Sequence, residues 1–260
     1  MTETLQVKVD KGSGDVLVLL HGLGNNYKSW TYVLKEIDYT KQRVVALDLL
    51  GFGDSPKPSK SEYTPEDHAN AVIATLDKLG ITTATIAGHS MGCIVAIAVA
   101  AKRPKLVRRL VLLGAPLYKK MPRARLFRLK FWRIENAYAT IFKLLAKNPD
   151  ITITAAKSLK IFAPLLKGME ITEETWPAFR KSLQNSIVQV QSYKDALHLQ
   201  IPTLLMYGKL DIFVIKRNLK RLARQNRKYI TFRSVLGPHE ITPLHGKSIA
   251  ELLEIQTQKS

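Results

Sequence analysis

A serine set between two glycines, Gly88-His89-Ser90-Met91-Gly92, follows the apolar run Thr83 to Ala87 and precedes the helix-forming run Cys93 to Ala101. The pattern predicts a strand, a forced turn and a helix, with Ser90 at the apex. A residue at such an apex is driven to strained backbone angles. Glycine on either side removes the Cβ atoms that would clash where strand and helix pack closely. The strain lifts the hydroxyl above the sheet edge, and the Met91 amide sits at the positive end of the following helix, ready to receive an oxyanion. A bare Gly-x-Ser-x-Gly arises by chance in roughly one chain in ten of this length, so the reading rests on what accompanies it.

Strand-like runs at 4–9, 15–21, 43–49, 83–88, 108–114, 203–208 and 229–235 alternate with helical patterns near 28–37, 65–79, 91–102, 216–225 and 246–256. Such alternation predicts an α/β fold, a mostly parallel central sheet with helices on both faces. Central strands such as Val16 to Leu20 and Leu110 to Leu113 are continuously apolar, as expected where both faces are covered. Between Pro116 and Pro202 the strand signal disappears. Helical stretches at Asn136 to Lys147, Thr152 to Leu166 and Trp176 to Ala196 predict a helical cap over 117–200, inserted into a core made of 1–116 and 201–260.

Four further signals sit at strand ends. His21-Gly22-Leu23-Gly24 follows Val16 to Leu20, Asp48 to Ser55 (DLLGFGDS) follows Arg43 to Leu47, Gly208 to Asp211 ends Thr203 to Tyr207, and Gly237-Pro238-His239 follows Tyr229 to Val235. With the Ser90 turn, their order and placement resemble those of the α/β-hydrolase superfamily along nearly the whole chain. The resemblance is to its serine hydrolases, carboxylesterase-like and bearing a helical cap. Only one short strand precedes the His21 strand where the superfamily commonly begins with a longer hairpin, so this edge of the sheet is expected to be trimmed.

Serine is a weak nucleophile at neutral pH and needs a base, which needs an orienting acid. The resemblance assigns Ser90 as nucleophile, His239 as base and Asp211 as acid, in the superfamily's order Ser, Asp, His. His245, six residues after His239, competes for the base, and a helix N-cap is the structural alternative for Asp211. The backbone amides of Leu23 and Met91 would form the oxyanion hole. Tyr27, Trp30, Phe127 and Trp132 are candidate pocket residues, with packing as the alternative. His21, His89 and Asp48 match structural positions of the superfamily. Glu240 is expected to point away from the base, and His68 and His198 read as surface or packing residues. Dehalogenases and epoxide hydrolases carry Asp at the apex, where this chain has Ser90. Carbon–carbon bond hydrolases usually carry tryptophan after the base, where it has Glu240.

The resemblance implies no cofactor. The six histidines are scattered and Cys93 is the single cysteine, which leaves no metal-ligand spacing and no intrachain disulfide. Cys93 reads as a small buried residue. No basic-then-apolar leader and no apolar run of membrane-spanning length is visible, so a soluble, cytoplasmic chain is expected.

Forty Lys plus Arg against 21 Asp plus Glu give a formal charge of +19, concentrated in Lys119 to Arg133 and Lys216 to Lys228. The excess reads either as a solvated cationic face or as a site for an acidic protein or anionic surface. No nucleic-acid-binding fingerprint accompanies it. Three functional readings follow. The first is a serine hydrolase of small or medium carboxylic esters. The second is a methyl-ester hydrolase or thioesterase that meets an acyl-carrier-protein substrate through a basic cap. The third is a slow or non-catalytic ligand receptor on the hydrolase scaffold.

Overall fold

The structure is a computed structural model and describes residues 3–118, 169–188, 192–211 and 213–258. Seven strands form one sheet in the order β1-β3-β2-β4-β5-β6-β7. They are β1 (Val7–Lys11), β2 (Val16–Leu20), β3 (Arg43–Leu47), β4 (Ala84–His89), β5 (Val107–Leu113), β6 (Thr203–Gly208) and β7 (Ile230–Val235). Only β1 runs antiparallel; the other neighbours pair in parallel.

A parallel sheet covered on both faces requires apolar residues at every strand position, and alternate side chains enter different layers. In β2, Val18 and Leu20 join the layer holding α2 (Pro65–Lys78) and α3 (Met91–Lys102). Leu17 and Leu19 turn to the opposite layer, with Val33 of α1 (Thr31–Leu34) and Ile249 and Leu253 of α7 (Pro243–Gln258). The same split repeats in β3 and β5, where Val45 and Leu112 face one layer and Val44 and Val111 the other. The α2 helix starts where Thr64 accepts from the Asp67 amide and Asp67 accepts from the Thr64 amide, with proline at the first helical position.

Where observation departs from the pattern, the cause is local. The first strand begins at Val7, because Leu5 drops into the core with its amide bonded to Thr75 Oγ1 at 2.7 Å. It then continues to exposed Lys11, held by its ladder with β3 and not by burial. The helix expected at 28–37 is a 3₁₀ turn, Tyr27–Trp30, followed by the four residues of α1, since the Asn26 side chain caps the Lys28 amide at 2.9 Å and sets a tight entry. The last helix begins three residues early, at Pro243, whose missing N–H costs nothing in a first turn.

Of the expected cap, the helices over Asn136 to Lys147 and Thr152 to Leu166, the candidate pocket residues Phe127 and Trp132, and the cations of 119–133 lie outside the described residues. The described part of 169–197 contains α4 (Trp176–Ser182), a wide π-type turn over Leu183–Val188 and α5 (Ser192–Leu197). It is fastened to the loop before α2: Ser186 Oγ donates to the Tyr63 carbonyl at 2.8 Å and Lys181 Nζ to the Ser61 carbonyl at 2.7 Å. The helix α6 (Lys216–Gln225) covers the sheet near β7, burying Leu219 and Leu222.

Candidate active site

Ser90 follows β4 and precedes α3 with φ 54° and ψ −117°, a left-handed conformation that a non-glycine residue adopts only when its surroundings enforce it. Its amide donates to the Leu113 carbonyl at 2.9 Å, which ties the turn to the end of β5. The glycines around it are steric necessities. A Cβ on Gly88 would stand 2.3 Å from the Gly92 oxygen, and one on Gly92 would stand 2.4 Å from the Leu20 oxygen. The hydroxyl is thereby carried to the carboxyl ends of the strands, where open α/β sheets bind ligands.

His239 and Asp211 meet in this region from the loops after β7 and β6. His239 Nδ1 lies 2.8 Å from Asp211 Oδ2, while Asp211 Oδ1 accepts from the Phe213 amide at 2.8 Å and the Val214 amide at 3.2 Å. The carboxylate can only accept, so Nδ1 carries the proton and Nε2 keeps its lone pair. Burial pushes the Asp211 pKa up, but the His239 hydrogen bond, its charge and the Phe213 amide outweigh it and hold the carboxyl below the usual range. Burial likewise pulls His239 down, and the hydrogen bond and charge of Asp211 outweigh it, leaving the imidazole above the ordinary 6.5. Gly114, at φ +64° just after β5, makes room: a Cβ there would meet His239 Cε1 at 3.2 Å and Asp211 Oδ2 at 3.4 Å. Among the described residues neither the Ser90 hydroxyl nor His239 Nε2 has a hydrogen-bond partner, and such bonds are commonly looser before substrate arrives.

The other histidines have separate places. His89 Nε2 stands 2.9 Å from the His239 carbonyl oxygen, with the two rings 5.0 Å apart. His21 accepts the Leu49 amide on Nε2 and so donates from Nδ1 to the Gly22 carbonyl, each at 2.8 Å; burial holds its pKa down at about 4. His245 is buried against Gly237 and bonded through Nδ1 to Thr242 Oγ1 at 3.1 Å, so the partner of Asp211 is His239. His68 is packed inside the core, stacked on Phe52, and His198 is bonded to the Lys194 carbonyl.

Leu23 lies in the loop after β2, and neither its amide nor that of Met91 has an acceptor among the described residues. The loop is braced by Asp48, whose carboxylate accepts from the Tyr27 amide at 2.9 Å and the Asp54 amide at 3.0 Å. Trp30 is 1% exposed, packed in the core with its ring 6.3 Å from that of His89, so it supports the site from below and does not line its mouth. Tyr27 is half-buried beneath the Lys8 ammonium, 5.4 Å from the ring centre. Glu240 is partly buried and makes no hydrogen bond to His239; burial raises its carboxyl, opposed by the His239 charge and assisted by that of Asp211. Cys93 is buried, its thiol donating to the Gly88 carbonyl at 3.1 Å, and burial raises its pKa.

One brace had no sequence signal. The Glu170 amide donates to the Gly24 carbonyl at 2.7 Å and its carboxylate accepts from Asn26 Nδ2 at 2.7 Å, clamping the segment before α4 to the loop that carries Leu23. The contact spans 144 residues, and a glutamate in a polar stretch carries no mark of it. Among the described residues no group of three or more His, Cys, Asp or Glu side chains is placed to hold a metal ion. No helix among them is long and apolar enough to cross a membrane.

A strained serine between strand and helix, with a His–Asp pair on later strand loops, is the layout of an α/β hydrolase. The family model for the alpha/beta hydrolase fold matches residues 15–242, and the chain belongs to that family. Among curated proteins it is 37% identical over 119 residues to a probable lysophospholipase, BODYGUARD 2, of Arabidopsis thaliana, covering 44% of this chain and 25% of that protein. It is also 37% identical over 109 residues to the 2-hydroxymuconate semialdehyde hydrolase of Pseudomonas sp. (strain CF600), covering 41% and 38%. These matches thus span well under half of either relative. A thermophilic esterase from Thermogutta terrifontis superposes with a TM-score of 0.70 at 18% identity, covering 98% of this chain and 94% of that one. The haloalkane dehalogenase DbeA from Bradyrhizobium superposes with a TM-score of 0.72, also at 18% identity, covering 96% and 97%. The likeness to these structures is one of fold.

Proposed function

We propose that the chain is a serine hydrolase that cleaves carboxylic esters of small or medium acyl substrates through an acyl-enzyme on Ser90. The observation that carries this reading is the 2.8 Å hydrogen bond between His239 Nδ1 and Asp211 Oδ2, which leaves Nε2 as a free base in the loop region that also holds the strained Ser90. In the proposed reaction Ser90 Oγ attacks the ester carbonyl carbon as its proton passes to His239 Nε2, and the oxyanion that forms accepts from the amides of Leu23 and Met91. Collapse expels the alcohol, which takes the proton from His239. Water then attacks the acyl-enzyme, His239 takes its proton and returns it to Ser90 Oγ, and the acid leaves. Asp211 stabilises the imidazolium in both halves. A relative described as a probable lysophospholipase and a structural neighbour described as an esterase support ester substrates. The semialdehyde hydrolase relative favours carbon–carbon cleavage, against which stands Glu240 in place of tryptophan after the base.

The test is Ser90→Ala. It should abolish hydrolysis of a short nitrophenyl ester and labelling of the chain by a fluorophosphonate. Undiminished turnover in that variant would refute the assignment.

A further inference from the structure

Three large apolar side chains stand in solvent beside the candidate site: Leu210 is 59% exposed, Leu236 58% and Leu244 65%. They are gathered by backbone contacts. The Lys209 amide donates to the Val235 carbonyl at 2.8 Å and the Leu210 amide to the Gly237 carbonyl at 2.9 Å, so Leu210 and Leu236 occupy adjoining loops at the ends of β6 and β7. A Cβ on Gly237 would meet the His245 ring at 2.4 Å, which brings the first turn of α7, and Leu244 with it, against the same loop.

Among the described residues, unpaired cations stand in the same segments: Lys209 beside Leu210, Lys216 and Arg217 at the start of α6, and Lys247 one turn after Leu244. Residues 201–250 contain ten Lys and Arg against two acids, Asp211 and Glu240. Asp211 is buried with His239, and Glu240 is partly buried. Among the described residues none of the ten cations makes an ion pair, whereas Lys8, Arg43, Lys102, Arg103, Arg108 and Lys181, elsewhere on the surface, are each paired with an Asp or Glu. On α6 the buried Leu219 and Leu222 fix the inner face, leaving Arg217, Lys220, Arg221 and Arg224 exposed. Lys216 Nζ bonds the Lys209 carbonyl at 2.6 Å, joining this helix to the leucine loops.

We propose that this face is a peripheral docking surface for an anionic lipid bilayer. Cations attract the surface over a Debye length, about 8–10 Å at physiological salt, and leucines on loop tips enter the head-group boundary one by one. Charge alone would suit any acidic macromolecule; the leucines select lipid. Leu210 immediately precedes Asp211 and Leu236 lies three residues before His239, so docking turns the rim of the site toward the bilayer. The surface does not depend on the reaction proposed above.

The experiment is flotation of the full chain with phosphatidylcholine vesicles, alone or containing about one third phosphatidylserine. The chain should float with the anionic vesicles only, and partition should fall roughly tenfold or more when salt is raised severalfold. Both Arg217→Glu/Lys247→Glu and Leu236→Ser/Leu244→Ser should each lower partition roughly tenfold or more while retaining hydrolysis of a soluble ester. Ser90→Ala should bind like the parent, which separates this proposal from the catalytic one. Failure of the parent to bind anionic vesicles would overturn the proposal. Undiminished binding by the leucine variant would overturn it too, in favour of a surface for acidic proteins.

Discussion

His89 Nε2 reaches the backbone oxygen of His239 at 2.9 Å, joining residues 150 positions apart. A carbonyl only accepts, so His89 carries its proton on Nε2, and burial keeps it neutral with a pKa of about 3. The residue before the proposed nucleophile thereby anchors the loop of the proposed base. His89→Phe keeps a ring against Trp30 and removes the donor; kcat/KM should fall on the order of tenfold to a hundredfold through kcat. Loss of one hydrogen bond, about 1 kcal/mol, should move Tm by only about 2–4 °C. His89→Gln, which can donate again, should recover part of the rate. Parent-like kinetics for His89→Phe would remove the anchor from the account.

The acid limb of activity should report His239. A histidine acting as base works only when neutral, and Asp211 holds the His239 pKa above 6.5, with Glu240 and His89 as its other titratable neighbours. The kcat/KM profile should therefore fall with decreasing pH at a midpoint above that of a free histidine. Asp211→Asn removes the charge that raises it, so the midpoint should shift down while kcat drops on the order of a thousandfold or more. A midpoint unmoved in that variant would mean another group governs the limb.

Acid should also loosen the fold. Unfolded histidines take a proton near 6.5, whereas burial holds His21 at about 4 and His68 and His89 at about 3. Between those values the unfolded chain binds more protons, so stability falls as pH falls, by up to about 1.4 kcal/mol per pH unit for each histidine. His239 acts oppositely, because its raised pKa contributes stability at low pH that is lost as pH rises through it. Thermal melts should show Tm declining as pH falls below 6.5, and His68→Phe should flatten the decline. A Tm that stays level down to pH 4 would contradict this.

Gly92→Ala should be far more damaging than its chemistry suggests. The new methyl would lie 2.4 Å from the Leu20 oxygen and 2.7 Å from the His21 oxygen, both backbone at the start of the loop that carries Leu23. Displacing that loop should cost about 1–3 kcal/mol or more and lower kcat on the order of a hundredfold. Gly80→Ala is the control: its φ of +67° is strained for alanine, but nothing stands within 4 Å, so melts should show a loss of about 1 kcal/mol and full activity.

The central strands were legible because they are buried on both faces, and a run such as Val16 to Leu20 has little freedom to be anything else. Ser90 and Gly92 were legible for a steric reason that a linear motif preserves. Edges were harder. Lys11 is strand because β3 pairs with it, and Leu5 is core although it leads the same run, so neither hydropathy nor alternation marks the boundary. Trp30, by sequence a candidate for pocket lining or packing alike, is packed under His89, since an aromatic beside a loop looks the same in both roles. Glu170 left no trace at all, because its bonds to Gly24 and Asn26 are made by ordinary polar groups across a long separation.

The sheet order has a consequence for synthesis. The β4 turn that carries Ser90 is among the earlier parts of the chain to leave the ribosome, while the loops of Asp211 and His239 follow the last two strands. At about 5–20 residues per second the interval between residues 90 and 239 is roughly 7–30 s. Until then Ser90 lacks its proposed base. On the proposed reading, a chain made only as far as α3 carries Ser90 without Asp211 or His239, and reactivity waits for the loops after β6 and β7.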